Sequence, residues 1–388
     1  MRRGPLPADD GADERRTVVH IITGLATGGA ERMLQRLVTG ESTYRHIVVS
    51  LGAKDSIGIE IERAGVEVLA LHIGSGVGLV AAFRRLVAIV DEARPVAIQG
   101  WMTHGNIAAS LVKIVARKKL PVFWGVRQSL NFTGERTRTR LLIYLGAMMA
   151  RTADVIVYNS QAGAIQHEAI GYPRSRRLVI PNGFSLHEYR PAPDVRRQMR
   201  SSLGIRADEI VVGTVGRLHP VKNHEGFLAA AAMIARDRGD VRFLLAGQDV
   251  DLEHAPFNRL VEQSGIAIDR LLALGERTDV ARVMCMLDIA ANVSHAESFP
   301  NVVGEALACG VPCVVTPVGD SAFIVGDAGV VCGDTAPNSI ADGIRKLLEV
   351  GPEGRARMAL RGLERMRELF SLPTVKARFD ALYRSAGV

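Results

Sequence analysis

The stretch TVVHIITGLATGGAER, residues 17–32, decides how this chain folds. Its first six residues are a short β-branched run that reads as a buried strand. A turn bearing Gly24, Gly28 and Gly29 follows, then an amphipathic helix that continues through Leu37. Strand, glycine turn and helix in that order open a doubly wound α/β domain.

The same alternation runs outward from this stretch. Strands are expected over 46–51, 66–71, 96–100, 122–126, 155–159 and 178–180. Helices are expected between them over 58–64, 77–93, 106–116, 139–150 and from about 161. A second series has strands over 210–215, 241–247, 271–274, 289–293, 314–316 and 329–332. Its helices are expected over 223–236, 256–264, 280–286, 300–309 and 339–350, with a long charged helix from about 354. The predicted organisation is a disordered polar leader (1–16), a Rossmann-like domain (17–183), a proline-bounded linker (184–193), a second Rossmann-like domain (194–370) and a C-terminal segment (371–388). Two such halves predict a ligand cleft where the carboxyl ends of both sheets face each other.

Composition narrows the class. At 388 residues, 47% hydrophobic and 23% charged, the chain suits a soluble protein of two ordinary domains. Aromatic residues make up only 5%, which argues against a base-stacking nucleic-acid surface. The net charge of +7 suits an acidic small ligand, an anionic membrane surface or nucleic acid, and charge alone does not choose among them. Four cysteines without CxxC spacing or nearby histidine ligands argue against a zinc site or disulfide framework and fit a reducing cytoplasm. The leader lacks the apolar core of a signal peptide, and no apolar run reaches the roughly 20 residues of a membrane span. The expected location is the cytoplasm, with room for contact at the cytoplasmic face of the inner membrane. Basic clusters at Lys113, Arg117, Lys118, Lys119 and at Arg136, Arg138, Arg140 would suit anionic lipid if they share one side.

The chemistry is concentrated in residues 292–317, NVSHAESFPNVVGEALACGVPCVVTP. Glu297 lies in a polar loop after an apolar strand. Pro300 suits the first turn of a helix, and Gly310 with Pro312 would end it, so Glu305 projects from that helix's second turn. The free N–H groups at Phe299, Asn301 and Val302, around Pro300 and with Ser298 before them, form a helix start where an anion can sit. Two glutamates eight apart arise by chance in most chains; the whole string carries more weight. Directly after the strand 210–215 come Gly216-Arg217-Leu218-His219-Pro220-Val221-Lys222. Arg217 and Lys222 can hold a diphosphate and stabilise the charge that develops as it leaves. Gly28 and Gly29 let backbone approach a phosphate, yet the spacing is not GxGxxG, so no nicotinamide site is assigned. His104, after the strand ending at Gln99-Gly100-Trp101, can bond a sugar hydroxyl or shuttle a proton. Arg127, Gln128 and Asn131 follow another strand and are placed to line the acceptor side. For Glu31, helix capping or a solvated charge competes evenly with a role at the site, and surface charge is the plain alternative for Arg217 and Lys222.

From Glu297 through Pro312 the string resembles the signature of the family 4 retaining glycosyltransferases, which share the two-domain GT-B fold. The resemblance extends from Thr17 to about Arg384. It implies a retaining, metal-independent hexosyltransferase with no cofactor, using a nucleotide-diphosphate sugar. It further implies that Glu305 holds the ribose, Glu297 the sugar hydroxyls and Arg217 with Lys222 the diphosphate. The Gly28-Gly29 turn would close over the donor phosphates, Glu31 would lie toward the acceptor, and His104 would contact the donor sugar. It also allows the last segment to cross back onto the first domain. Residues 24–32 and 101–104 look like enzymes of bacterial surface-polysaccharide assembly, which implies a glycan or lipid-linked acceptor. Relatives commonly carry an apolar residue and Asp after Asn182-Gly183, whereas here Phe184 precedes Ser185. Three other readings stand beside this one: a GT-B sugar-nucleotide epimerase, a non-catalytic nucleotide-sugar-binding protein, and a basic nucleic-acid binder.

Overall fold

The computed structural model describes residues 15–26, 28–74, 78–116, 119–130 and 137–386. Two parallel sheets are present. The first contains β1 (Thr17–Ile22), β2 (Arg45–Ser50), β3 (Glu67–Ala70), β4 (Ala97–Trp101), β5 (Val122–Val126), β6 (Val155–Tyr158) and β7 (Arg177–Val179). Its order is β3-β2-β1-β4-β5-β6-β7. The second contains β8 (Ile210–Val215), β9 (Val241–Ala246), β10 (Leu271–Ala273), β11 (Ile289–Asn292), β12 (Cys313–Val315) and β13 (Gly329–Val331). Its order is β10-β9-β8-β11-β12-β13. Both are doubly wound Rossmann-like sheets: the order reverses beside β1 in one and beside β8 in the other.

Helices alternate with these strands. The first series is α1 (Gly29–Val38), α2 (Asp55–Arg63), α3 (Leu79–Ala93), α4 (Met102–Ala116), α5 (Thr137–Met149), α6 (Gln161–Ala169) and α7 (Pro193–Ser202). The second is α8 (His224–Asp237), α9 (Ala255–Ser264), α10 (Val280–Met286), α11 (Asn301–Ala308), α12 (Ser321–Val325), α13 (Pro337–Glu349), α14 (Gly351–Arg365) and α15 (Leu372–Ser385). By compactness the chain divides into one unit of Met1–Trp124, Thr152–Val155 and Asp380–Val388, and another of Gly125–Arg151 and Ile156–Phe379.

Most predicted elements differ from the observed ones only at their ends, with three informative exceptions. Helix α4 begins at Met102, four residues before its predicted start. Gly105 makes this possible, because a Cβ there would strike the Ile21 carbonyl at the end of β1. Helix α7 occupies the last residue of the expected linker and the opening of the second expected domain, with Pro193 in its first turn where no N–H is needed. Helix α12 has only five residues and escaped prediction.

The sheets are covered on both faces, as parallel sheets require. Every residue of β1, β4 and β5 is buried. A polar chain nevertheless crosses the first core: the Trp101 indole N–H donates to His20 Nδ1 at 3.1 Å, and His20 Nε2 meets His46 Nδ1 at 2.9 Å. His46 Nε2 in turn meets Ser42 Oγ at 2.7 Å. An indole only donates, so His20 Nδ1 must accept. That assigns the His20 proton to Nε2 and the His46 proton to its own Nε2, leaving Ser42 the acceptor. The order rules out Ser42 as a nucleophile activated by His46, since its hydroxyl proton cannot point at the imidazole. Tyr383, near the end of α15, packs edge-on against His20 and Tyr44 in this unit.

In the other unit, Phe184 pairs with the start of α15. Its N–H donates to the Phe370 carbonyl at 2.9 Å, and its carbonyl accepts from Leu372 N–H at 2.9 Å. Phe184 is fully buried, its ring 6.3 Å from Phe299. The segment expected as a plain linker therefore starts as a fixed, strand-like bridge.

Candidate active site

Strands β8 and β11 are neighbours at the point where the second sheet's order reverses, so the loops leaving their carboxyl ends flank a crevice. The loop after β8 carries Gly216, Arg217 and Lys222; the loop after β11 carries Ser294, Glu297 and Ser298. Direct bonds hold the two loops together. His295 N–H donates to the Val221 carbonyl at 2.8 Å. Asn223 sits in left-handed backbone (φ 55°), accepts from Gly226 N–H, and donates to the carbonyls of Val293 and Thr335, both at 3.0 Å. Asparagine tolerates that conformation and caps helices, so one residue both starts α8 and ties down the opposite loop.

The outcome is an ion pair at the crevice. Lys222 Nζ lies 2.6 Å from Glu297 Oε1, with the side chains 30% and 14% exposed. Ser294 Oγ donates to the same oxygen at 2.8 Å. The Lys222 stem lies over Gly216, where a Cβ would stand 3.6–3.7 Å from it. Arg217 is exposed at the end of β8. The buried imidazole of His224 bonds the Gly216 carbonyl at 3.2 Å, and burial pushes its pKa down to about 4, so it stays neutral.

A third loop supports the acidic one from below. Thr316 Oγ1 donates to the Ser294 carbonyl at 2.7 Å, and Asp320 N–H to the Ser298 carbonyl at 3.0 Å. Gly319 has φ +55°, and a Cβ there would stand 2.5 Å from the Glu297 carbonyl oxygen and 2.7 Å from that of Ser298. The loop that aims Glu297 is thus seated on bare backbone.

The other residues singled out around this crevice divide by what their side chains touch. Pro300 immediately precedes α11, which begins one residue later than predicted, at Asn301. The first N–H groups of that helix, those of Asn301 and Val302 included, have no intrahelical acceptor. Glu305 stands in its second turn, half-buried. Ser298 is buried, and its hydroxyl donates to Asn159 Oδ1 at 2.9 Å and meets Ser160 Oγ at 2.7 Å. Phe299 packs against Phe184 and Phe370. Asn301 Oδ1 accepts from Asn182 Nδ2 at 2.7 Å, and Asn182 Oδ1 accepts from the buried Arg127 at 2.6 Å. Arg127 also lies over the Phe379 ring at 5.6 Å. Asn131 lies outside the described residues.

In the other unit, Gly28 precedes α1 and Gly29 begins it. The Glu31 carboxylate folds back so closely that a Cβ on Gly28 would collide with it. Burial raises the Glu31 pKa against an opposing backbone hydrogen bond. The absence of a side chain on Gly28 leaves room for that carboxylate. His104 is in the first turn of α4, and burial lowers its pKa. Among the basic clusters, Lys113 is committed to Asp154 at 2.6 Å. Arg117, Lys118 and Arg136 fall outside the described residues, as do the side chains of Arg138 and Arg140.

Sequence reasoning missed Ser294, Asn223, Thr316, Gly319 and Asp320. Asp320 caps α6: its carboxylate accepts from the N–H groups of Gln161 and Ala162 at 2.8 and 3.0 Å. Burial raises its pKa while those two bonds lower it. Asn223, as a capping residue just before an apolar helix, was the one with a local signal. Among the described residues, no cluster of three or more His, Cys, Asp or Glu is arranged to hold a metal ion.

Comparison with known proteins matches both halves. Residues 16–183 match the family model "Glycosyl transferase 4-like domain", and residues 209–350 match "Glycosyl transferases group 1". The putative glycosyltransferase EpsF of Bacillus subtilis (strain 168) is 25% identical over 331 residues, 81% of this chain and 82% of that protein. D-inositol 3-phosphate glycosyltransferase of Mycobacterium tuberculosis (strain CDC 1551 / Oshkosh) is 32% identical over 241 residues, 60% of this chain and 49% of its own length. The crystal structure of Anabaena Alr3699/HepE in complex with UDP superimposes with a TM-score of 0.84 at 22% identity, over 95% of this chain and 100% of that one.

Proposed function

Because the chain belongs to the family 4 glycosyltransferases and is a hexosyltransferase of GT-B fold, we propose that it is a retaining, metal-independent enzyme that moves a sugar from a UDP-sugar to a hydroxyl acceptor. The UDP bound by the HepE structure supports uridine as the nucleotide. The observation that carries the reading is the Lys222–Glu297 pair at 2.6 Å, set where the second sheet's order reverses.

The pair is a resting arrangement of two groups with different targets. When the donor enters, the ammonium of Lys222 turns to the diphosphate beside Arg217, and Glu297 is released to accept hydrogen bonds from sugar hydroxyls. Glu305 holds the ribose. As the sugar–phosphate bond breaks, the two cations stabilise the negative charge gathering on the leaving diphosphate, which preorganised charge does well in a partly dry site. The acceptor hydroxyl attacks the face the leaving group vacates and gives its proton to the departing phosphate. His104, held neutral, bonds a donor hydroxyl.

The acceptor we assign is a glycan or lipid-linked intermediate of polysaccharide synthesis, met at an anionic membrane face. No helix among the described residues is long and apolar enough to cross a membrane. Support for surface contact comes from α3 and α4, which expose Leu79, Val80, Leu111 and Val115 around one apolar groove that Arg84 also lines.

Thermal shift against a panel of UDP-, GDP- and ADP-sugars tests the donor reading. A true donor at a hundred times its Kd should stabilise by about 2.7 kcal/mol, and the shift should grow with concentration. Concentration-independent melting across the whole panel would refute it.

A further inference from the structure

The second unit also carries a pair of thiols that the transfer reaction does not use. Cys285 is in the last turn of α10, and Cys309 directly follows α11, which packs against α10. The Cys309 thiol donates to the Ala281 carbonyl at 3.8 Å. Ala281 is one turn before Cys285, so that carbonyl points along the helix at the Cys285 N–H. The Cys309 sulfur therefore lies over the turn that holds Cys285, whose own thiol donates to the Arg190 carbonyl at 3.4 Å. Both line one cavity of about 280 Å³, together with Arg196. They keep 7% and 5% exposure there.

The other two cysteines lack this setting. Cys313 is 1% exposed and turns its thiol to the carbonyls of Val311 and Val303. Cys332 packs in the separate core under α13.

The cavity is also polarised. The Arg196 guanidinium is fixed by the carbonyls of Cys285, Met286 and Leu287 at 2.9–3.3 Å and by Asp288 at 2.7 Å. The neighbouring Cys309 thiol pulls the Cys285 thiol down against the effect of burial, and the charge of Arg196 adds to that pull, while Cys285 and burial push the Cys309 thiol up. Thiolate character, access and a neighbouring thiol are what mark a redox-active cysteine.

We propose that Cys285 and Cys309 form a reversible thiol–disulfide pair, oxidised by small peroxides that enter through this cavity. The Cys285 thiolate attacks one peroxide oxygen; the O–O bond breaks, Cys285 becomes a sulfenic acid, and the departing hydroxide leaves as water with the proton the Cys285 thiol had released. The Cys309 sulfur then attacks the Cys285 sulfur. The S–O bond breaks, the hydroxide leaves as water with the Cys309 proton, and the disulfide forms. In balance, two thiols and one hydrogen peroxide give one disulfide and two waters. Two thiol equivalents of dithiothreitol reverse it. The disulfide would fasten the end of α11 to α10, whichever donor the enzyme takes.

The test is mild hydrogen peroxide treatment of the folded full-length chain, followed by alkylation and peptide mass spectrometry. Titratable thiols should fall from four to two, with one cross-linked peptide joining Cys285 to Cys309 that dithiothreitol releases. In Cys309→Ser the reaction should stop at a Cys285 sulfenic acid that dimedone traps, and Cys309→Ala should behave alike. The proposal fails if all four thiols stay free in the folded chain. It fails equally if Cys285 oxidises while Cys309 still alkylates, or if Cys285 joins any other cysteine.

Discussion

At the scale of single residues, Glu297 is held by one ammonium and one hydroxyl on the same oxygen, which makes its charge separable from its position. Glu297→Gln can still accept from Lys222 and Ser294, so we expect kcat to drop about 100-fold with the melting temperature nearly unchanged. Donor turnover and circular-dichroism melting, run side by side, check both halves. Gly319→Ala should produce the opposite association: it leaves every polar side chain intact but forces a Cβ onto the carbonyls of Glu297 and Ser298. Together with the strain of an alanine at φ +55°, this should destabilise by about 1–3 kcal/mol and lower turnover as well. Lys222 and Glu297 were legible in the sequence because charged residues after apolar strands announce themselves. Ser294 and Gly319 were not, since a serine in a polar loop carries no mark of the carboxylate it meets, and Gly319 acts as a bare Cα beneath the carbonyls of Glu297 and Ser298 in another loop.

At the scale of elements, two helices owe their placement to atoms outside them. Asp320 accepts from the first two N–H groups of α6, and Ser160 Oγ accepts from Gly163 N–H at 2.9 Å. Asp320→Ala strips two of these acceptors at once and should cost about 1–2 kcal/mol in urea unfolding. Within α11, Gly304 faces the ring of Phe184, and a Cβ there would stand 2.6 Å from Cε2. Glycine to alanine inside a helix ordinarily stabilises by up to about 1 kcal/mol. Here the collision should reverse the sign, and a measured gain in stability would show that Phe184 yields freely. The order of strands and helices was readable from periodicity, and most errors were a residue or two at the ends. Helix α4 was read short because its first turn depends on how closely Gly105 lets it approach β1, which no local pattern reveals. The five-residue α12 has too few turns to show a period.

At the scale of the whole molecule, three buried histidines set the response to acid. His167 bonds the Gly163 carbonyl at 2.8 Å, and burial pushes its pKa down to about 4; burial does the same to His224 and lowers His20 well below its usual value. A folded pKa below the unfolded one means that the unfolded chain binds more protons between about pH 6.5 and 4. Stability therefore falls as pH drops through that window, by roughly 2 kcal/mol for each of His167 and His224 at about pH 5. A melting series from about pH 7.5 to about 4.5 should show the decline, and His167→Gln should flatten it. The two-sheet plan was legible from end to end because each half repeats the same strand–helix alternation. The place of Tyr383 in the first unit was implied by resemblance alone, since nothing in its own neighbourhood of sequence points to β1. That placement has a consequence for biosynthesis. The ring that closes against His20 and Tyr44 leaves the ribosome roughly 260 residues after Trp124; at typical bacterial-to-eukaryotic elongation speeds the nascent unit waits roughly 13–50 s for its missing plug. Throughout that interval the emerging polypeptide exposes an aromatic socket, which makes it a client for holding chaperones before it is an enzyme.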